Sequence, residues 1–194
     1  MRTHVQAMVW LLAAAAPAYA ETPTQEPQVA LAAEVGASGG GGTTPGGMRL
    51  GGRYLYRMTD QVWFDGGVHF TFGTPQTGCS RTPPDGMSCD HGVADGFSGD
   101  LTLGLRHDLP GQGAFTPFVR GGVFGRVLRF AADDVNGAAA GVDAGAGVAA
   151  LVKDDVAVVG SAGVFAGRPW LGSGVGDAGQ LGMIVTLGAE LRLP

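Results

Sequence analysis

Residues 48–73 constrain the fold most, because apolar and polar side chains alternate strictly along two runs that a short turn separates. A period of two is typical of β-strands, whose successive side chains point to opposite faces. The turn at 58–61 joins the two runs, so the segment predicts a β-hairpin. One face of the first run carries Arg49, Arg53 and Arg57, and the other face is apolar.

Aromatic residues lie near both ends of the apolar face of this hairpin. They are Tyr54, Tyr56 and Phe64 beside the turn and Phe70 and Phe72 at the far end. Two aromatic bands that flank aliphatic residues indicate strands crossing a bilayer. A soluble, lipocalin-like barrel shows the same alternation with its apolar face inward, so the remaining chain has to distinguish the two.

The composition excludes some classes of protein. The 194 residues include 36 glycines, and only 15% of the residues are charged. The formal net charge of −5 provides no basic surface for a nucleic-acid partner. Of the 12 basic residues only Lys153 is a lysine, although soluble surfaces use lysine freely. The arginines are therefore expected to be placed for ion pairing.

The N-terminus has the pattern of a secretory signal. Arg2 precedes an apolar run at 5–16, and Ala18 and Ala20 provide a small-residue cleavage site. The run is too short for a membrane-spanning helix, which needs about 20 apolar residues. The expected organisation is a signal peptide at 1–20, a flexible periplasmic leader at 21–27 and a β-barrel at 28–194.

Further alternating runs extend the hairpin to eight strands. The predicted strands are 29–36, 48–58, 62–72, 94–107, 115–130, 138–152, 156–166 and 181–193. The first, third, fifth and seventh connections are predicted to be longer than the others, as in a membrane barrel with short periplasmic turns and long outer loops. The expected fold is all-β, an eight-stranded antiparallel up-and-down transmembrane β-barrel.

Over residues 29–194 this architecture resembles the small outer-membrane β-barrels of the OmpA/OmpX type. The resemblance implies a bacterial outer-membrane location, with membrane lipid and the barrel-insertion machinery as partners, and the protein is expected to be a monomer without a cofactor. Such proteins usually end in a strand with a terminal aromatic residue. This chain ends Leu191-Arg192-Leu193-Pro194, which keeps the alternation without the aromatic.

Charged side chains are expected to line the lumen. By alternation the inward set is Glu34, Arg49, Arg53, Arg57, Asp65, Asp100, Arg106, Arg120, Arg126, Asp143, Glu190 and Arg192. An eight-stranded barrel has an interior that its side chains fill, so these charges are expected to pair, for example Arg53 with Glu34 and Asp65. The alternative is that some of the arginines bind an anion at the barrel mouth.

Two cysteines, Cys79 and Cys89, lie in the third connection of an exported chain, where oxidation is the normal outcome. The sequence predicts a disulfide between them. The alternative is a metal site formed with Asp90 and His91, but a paired Cys-x-x-Cys element is missing.

Catalysis is not evident from the sequence, and the expected role is structural or surface-interacting, without an open pore. One alternative is a lipid or ester hydrolase, because His69, Ser98 and Asp100 are expected to face inward on neighbouring strands. The lining interpretation is preferred, since no oxyanion donor is evident. The other alternative is a soluble periplasmic barrel that binds an apolar ligand.

Overall fold

A computed structural model describes residues 28–41, 44–73, 79–82, 86–89, 96–130, 135–172 and 179–193. The expected signal peptide at 1–20 and leader at 21–27 lie outside the described residues, as do Asp90 and His91 of the alternative metal site. Within the described ranges, no helix has the length and apolar character needed to cross a membrane. The same ranges contain no group of three or more side chains that could hold a metal ion.

The described residues form ten strands, eight of which close into a barrel. The strands are β1 Val29–Gly41, β2 Gly47–Arg57, β3 Val62–Phe72, β4 Cys79–Thr82, β5 Gly86–Cys89, β6 Gly96–Asp108, β7 Phe115–Phe130, β8 Val135–Lys153, β9 Val156–Leu171 and β10 Gln180–Leu193. Around the barrel the order is β1-β10-β9-β8-β7-β6-β3-β2, and every neighbouring pair is antiparallel. The predicted eight-stranded up-and-down barrel is confirmed.

The strands are strongly staggered around the barrel. Following directly paired residues once around the wall leads from Val156 to Ala166 on the same strand, ten positions along. A stagger of this kind requires tilted strands and, with eight strands, leaves an interior that side chains fill. Residues at one depth in the membrane are therefore not those that pair directly in the sheet.

The exterior of the barrel is apolar. Side chains such as Leu101, Val123 and Leu187 are about half exposed on the outer face. The residues directly before and after each of them point into the lumen, as the alternation requires. Tyr54, Tyr56 and Phe115 are exposed at the end with the short turns, called here the turn end. Phe70 and Phe72 are exposed at the opposite end, called the loop end. An apolar exterior around a polar interior is the arrangement of a barrel in a bilayer, so the soluble-barrel alternative is wrong.

Several strands continue into segments that were predicted to be loops. β1 extends to Gly41, β8 begins at Val135 rather than at 138, and β9 continues through Pro169 to Leu171. Glycine and proline indicate loops in isolation, but here neighbouring strands pair with these residues throughout. The connection between β7 and β8 is consequently reduced to 131–134. It is shorter than the one between β6 and β7, contrary to the prediction.

The third connection contains a small hairpin of its own. Strands β4 and β5 pair with each other in a separate two-stranded sheet between β3 and β6, at the loop end. The sequence predicted a loop over this stretch, because its prolines, glycines and polar residues lack a long alternating pattern. Paired strands of four residues are too short to produce such a pattern.

Candidate functional site

The lumen contains three groups of ion-paired side chains, and the one nearest the loop end is built around Asp100. Arg49 Nη1 donates to Asp100 Oδ2 at 2.5 Å, and Arg126 donates from Nε to Oδ1 at 2.7 Å and from Nη2 to Oδ2 at 3.0 Å. All three side chains are buried. This loop-end cluster joins β2, β6 and β7 across the lumen with charge-assisted hydrogen bonds.

Two aromatic rings hold the Arg126 guanidinium in place. Its central carbon lies 4.9 Å from the ring centre of Phe124 and 4.7 Å from that of Phe165. The two rings meet edge to face, and Ile184 packs with them in a buried apolar group. Cation–π contacts of this kind are stronger where water is excluded. The charged side chain and the two rings therefore pack together at this level of the lumen.

The second group, the central cluster, consists of Glu34, Arg53, Asp65 and His69. Arg53 Nε donates to Glu34 Oε1 at 3.0 Å, and its Nη1 donates to Asp65 Oδ1 at 2.5 Å. His69 Nε2 lies 3.3 Å from the second oxygen of Glu34. Arg53 thus contacts both of the acids that the sequence suggested for it. The cluster connects β1, β2 and β3.

The third group, the turn-end cluster, consists of Arg106, Asp108, Glu190 and Arg192. Arg106 donates to Asp108 at 2.7 Å and to Glu190 at 2.6 Å, and its guanidinium lies 4.1 Å from the ring centre of Phe118. Arg192 Nε donates to the other oxygen of Glu190 at 2.9 Å. The contact between Arg106 and Glu190 joins strands β6 and β10, which are not neighbours in the sheet.

Between the turn-end cluster and the turn end of the barrel lies an open cavity. Its volume is about 250 Å³, and its lining includes Arg57, Trp63 and Arg192. Arg57 Nη1 donates to Gln28 Oε1 at 3.0 Å, and its other nitrogens donate to backbone carbonyls of the turn between β2 and β3. Arg57 therefore lies at the rim of the lumen, where it braces a turn, rather than within the charge network that alternation suggested.

Arg120 and Asp143 depart from the expected pairing. Neither makes a hydrogen bond or an ion pair within the described part of the chain, and Arg120 Nε is buried without a partner. They occupy neighbouring strands, but the register places Arg120 opposite Gly145 and Asp143 opposite Gly122. Both line a cavity of about 10 Å³, which has room for roughly one water molecule. The expected pairing of these two charges is therefore wrong, and a small cavity lies beside both side chains.

The residues of the alternative hydrolase do not form a triad. His69 and Asp100 are directly opposite each other in the sheet, and Ser98 is opposite Thr71. However, two arginines bind the carboxylate of Asp100, and His69 Nε2 faces Glu34. Ser98 Oγ and His69 Nδ1 are both buried without a hydrogen-bond partner in the described structure, so no base is positioned to activate the hydroxyl.

Between β4 and β5, the backbone register places Cys79 directly opposite Cys89. Directly opposite residues in an antiparallel pair have Cα atoms about 4.5–5.5 Å apart. That range lies within the distances that a disulfide spans. The disulfide remains a prediction, and the register is compatible with it.

Some residues of the lumen contacts were not expected from the sequence. Asp108 was predicted to begin a turn, and Gln180, which accepts a hydrogen bond from Arg126 at 3.3 Å, was predicted to lie in a loop. Asp108 continues the inward alternation of Asp100 and Arg106, and Gln180 has the parity of the inward positions on β10. Extending each alternation by one step would have identified both.

Comparison with known proteins agrees with this architecture. No protein-family model matches the chain, and no curated protein does. Among solved structures, Neisserial surface protein A has 12% identity and a TM-score of 0.54, over 86% of this chain and 96% of that one. The outer membrane protein OprG from Pseudomonas aeruginosa has 12% identity and a TM-score of 0.54, over 86% and 95%.

Ail, the attachment invasion locus protein of Yersinia pestis, has 13% identity and a TM-score of 0.50, over 87% of this chain and 100% of that one. Identities this low show the fold alone. The apolar exterior and this shared fold together confirm the expected outer-membrane β-barrel. The chain has the architecture of the small eight-stranded outer-membrane barrels, with three ion-paired clusters in its lumen.

Proposed function

We propose that this protein is a structural or surface-interacting barrel of the bacterial outer membrane, with a lumen closed to solutes and no catalytic activity. One observation carries the proposal: ion-paired clusters occupy the lumen at three levels, and the loop-end and turn-end clusters join strands that are not neighbours in the sheet. In each cluster an arginine pairs with at least one carboxylate from another strand. An open pore would need those charges separated by water.

The cavities in the lumen support closure. Two cavities of about 10 Å³ each lie beside Arg53 and Arg120, and each has room for roughly one water molecule. The larger cavity at the turn end is lined by Trp63 and by Asp108 and Arg192 of the turn-end cluster, which lie between it and the rest of the lumen. Porins that pass solutes need about 16 strands to leave an aqueous channel.

An interaction role is supported by the hairpin of β4 and β5. It lies in the connection between β3 and β6 at the loop end and pairs with no other strand of the described structure. Loops on a rigid scaffold are where binding residues concentrate. The protein is proposed to act as a monomer, with membrane lipid and the barrel-insertion machinery as its other partners.

Conductance measurement tests the closed lumen. Purified protein reconstituted in a planar bilayer should give no steady conductance of porin size, while a 16-stranded porin in the same bilayer conducts. Folding of the sample is checked by its faster migration in SDS before boiling than after. Stable, reproducible channels from folded wild-type protein would contradict the proposal.

A further inference from the structure

We infer that the open cavity at the turn end binds the C-terminal carboxylate of a short peptide through the guanidinium of Arg192. The cavity has a volume of about 250 Å³, and Arg192 is part of its lining. The short turns of outer-membrane barrels lie on the periplasmic side, so the peptide comes from the periplasm. Such a site needs no passage through the lumen and is separate from the hairpin of β4 and β5 at the loop end.

Arg192 has unused hydrogen-bond donors. Its Nε donates to Glu190 Oε1 at 2.9 Å, and within the described residues its terminal nitrogens Nη1 and Nη2 make no hydrogen bond. The side chain is 25% exposed, and neither terminal nitrogen is fully buried. The N–H groups of a guanidinium form a planar fork that matches the two oxygens of a carboxylate. Arg192 can therefore bind a carboxylate while it keeps its contact with Glu190.

The other arginines of this region are not available in the same way. Arg57 already donates from all three of its nitrogens, to Gln28 and to two backbone carbonyls of its own turn. Arg106 Nη2 and Arg120 Nε have no partner in the described structure, but both atoms are buried and neither residue lines the open cavity. A ligand that enters the cavity therefore meets the free donors of Arg192.

The charges around the cavity favour an anion with a single charge. The described lining contains two arginines, Arg57 and Arg192, and two aspartates, Asp60 and Asp108. These charges balance, so the cavity has no excess of positive charge that would attract a phosphate dianion. A second negative charge on the ligand would also be repelled by both aspartates. A carboxylate brings one charge, which the fork of Arg192 can neutralise.

Uncharged polar side chains in the same cavity suit the peptide groups that precede a C-terminal carboxylate. Gln28, Gln61 and Thr116 belong to the lining. Gln28 uses its amide oxygen to accept from Arg57, which leaves its NH₂ group as a donor. The side chains of Gln61 and Thr116 make no hydrogen bond in the described part of the chain and can both donate and accept. An amide linkage needs one donor and one acceptor of this kind.

The size and the apolar part of the lining limit the ligand to a short one. A volume of about 250 Å³ is slightly below the roughly 300–1,000 Å³ of clefts that hold drug-sized molecules. Leu109 and Pro110 line the cavity, and the side chain of Leu109 is 37% exposed. A small apolar side chain of the ligand can pack against these two residues. The last one or two residues of a peptide fit this description.

Isothermal titration calorimetry of the folded protein in detergent tests the site, with N-acetyl-alanyl-alanine as the probe. The probe should bind wild-type protein, and the same dipeptide with a C-terminal amide should bind roughly tenfold more weakly or less, because it lacks the charge-assisted hydrogen bonds. Arg192→Gln should weaken binding of the free acid to a similar extent. Lys153→Gln, at an exposed basic residue outside the cavity, is the matched control and should bind normally.

Gln61→Trp is a second variant, because Arg192 also contacts Glu190 and its replacement could disturb the turn-end cluster. Gln61 is exposed, and its side chain makes no hydrogen bond in the described structure. A tryptophan there should occupy the cavity and abolish binding while every ion pair of the cluster remains. The faster migration of unboiled protein in SDS confirms that each variant is folded.

The source of the peptide is distinguished by the chirality of the probe. Tighter binding of the D-alanyl-D-alanine form identifies a cell-wall peptide, and tighter binding of the L-alanyl-L-alanine form identifies a fragment of a protein. Either result supports a carboxylate site. Equal binding of the free acid and the amide, unchanged binding by Arg192→Gln, or an equal loss in Lys153→Gln would overturn it. Acetate or inorganic phosphate that binds as tightly as the dipeptide would show a simple anion site and would also overturn it.

Discussion

Two groups of strands in the barrel wall contribute different kinds of side chain to the same lumen. On the charged side, β2, β3, β6 and β7 supply most of the arginines and acids together with Trp63, Phe118 and Phe124. On the small-residue side, β8 and β9 present mainly glycine, alanine and valine, with Asp143 as the charged lumen residue and Phe165 as the large ring of their described part. Most of the large side chains come from one side, and the small residues of the other side leave space for them.

Glycines of the small-residue side show how this space is used. A Cβ atom at Gly147 would collide with the ring of Phe118, and one at Gly141 would lie 2.7 Å from the ring of Phe124. Protein interiors are closely packed, so even one added methylene group changes the stability of the fold. Phe118 and Phe124 are the direct partners of these glycines on the neighbouring strand β7, so part of the glycine content makes room for the rings of that strand.

The largest effect is expected on the charged side, from Arg53→Ala. The substitution leaves Glu34 and Asp65 buried without their shared cation, which should lower the free energy of unfolding by about 3–5 kcal/mol. Urea unfolding in lipid vesicles, followed by tryptophan fluorescence, measures it. Arg81→Ala in the outer hairpin is the matched control and should change the free energy by less than about 1 kcal/mol. Equal unfolding midpoints for the two variants would show that the pairing in the lumen contributes little.

A smaller effect is expected on the other side, from Gly141→Ala. Its added Cβ would collide with the backbone carbonyl of Ala166, so the strands must shift, at a cost of about 1–3 kcal/mol. Gly125→Ala is the matched control, because a Cβ at this exterior position on β7 meets no atom within 4 Å. The same unfolding measurement compares them. A destabilisation by Gly125→Ala as large as that by Gly141→Ala would contradict the packing explanation.

The smallest effect on the barrel is expected from the outer hairpin, which belongs to neither side of the wall. A Cys79–Cys89 cross-linked peptide should be found by mass spectrometry under non-reducing conditions. Cys79→Ser with Cys89→Ser should shift barrel unfolding by less than about 1 kcal/mol, because the hairpin is outside the cooperative sheet. Two free thiols in exported protein would contradict the disulfide, and a large shift would show that the hairpin supports the wall.

Much of the fold could be predicted from alternation, because each strand of a membrane barrel has one lipid face and one lumen face. The pattern in β7 predicted both of its ends correctly, from Phe115 to Phe130. Strand ends rich in glycine or proline, such as those of β1 and β9, were missed. In these segments pairing with a neighbouring strand, rather than local preference, maintains the extended backbone.

The sequence by itself determined which side chains face the lumen, because parity along a strand is a local property. Which charges meet was decided by the tertiary structure, through the stagger of the strands and the closure of the sheet. Arg106 reaches Glu190 because closure brings β6 and β10 to opposite sides of one narrow lumen, 84 positions apart in the chain. Arg120 and Asp143 are on adjacent strands, with an offset of two positions like that of the paired Arg53 and Asp65, yet no ion pair forms between them. The alternation along a strand assigns each side chain to a face of the sheet. The ion-pair partner of that side chain depends on how the strands are staggered, and the stagger is set only when the barrel closes.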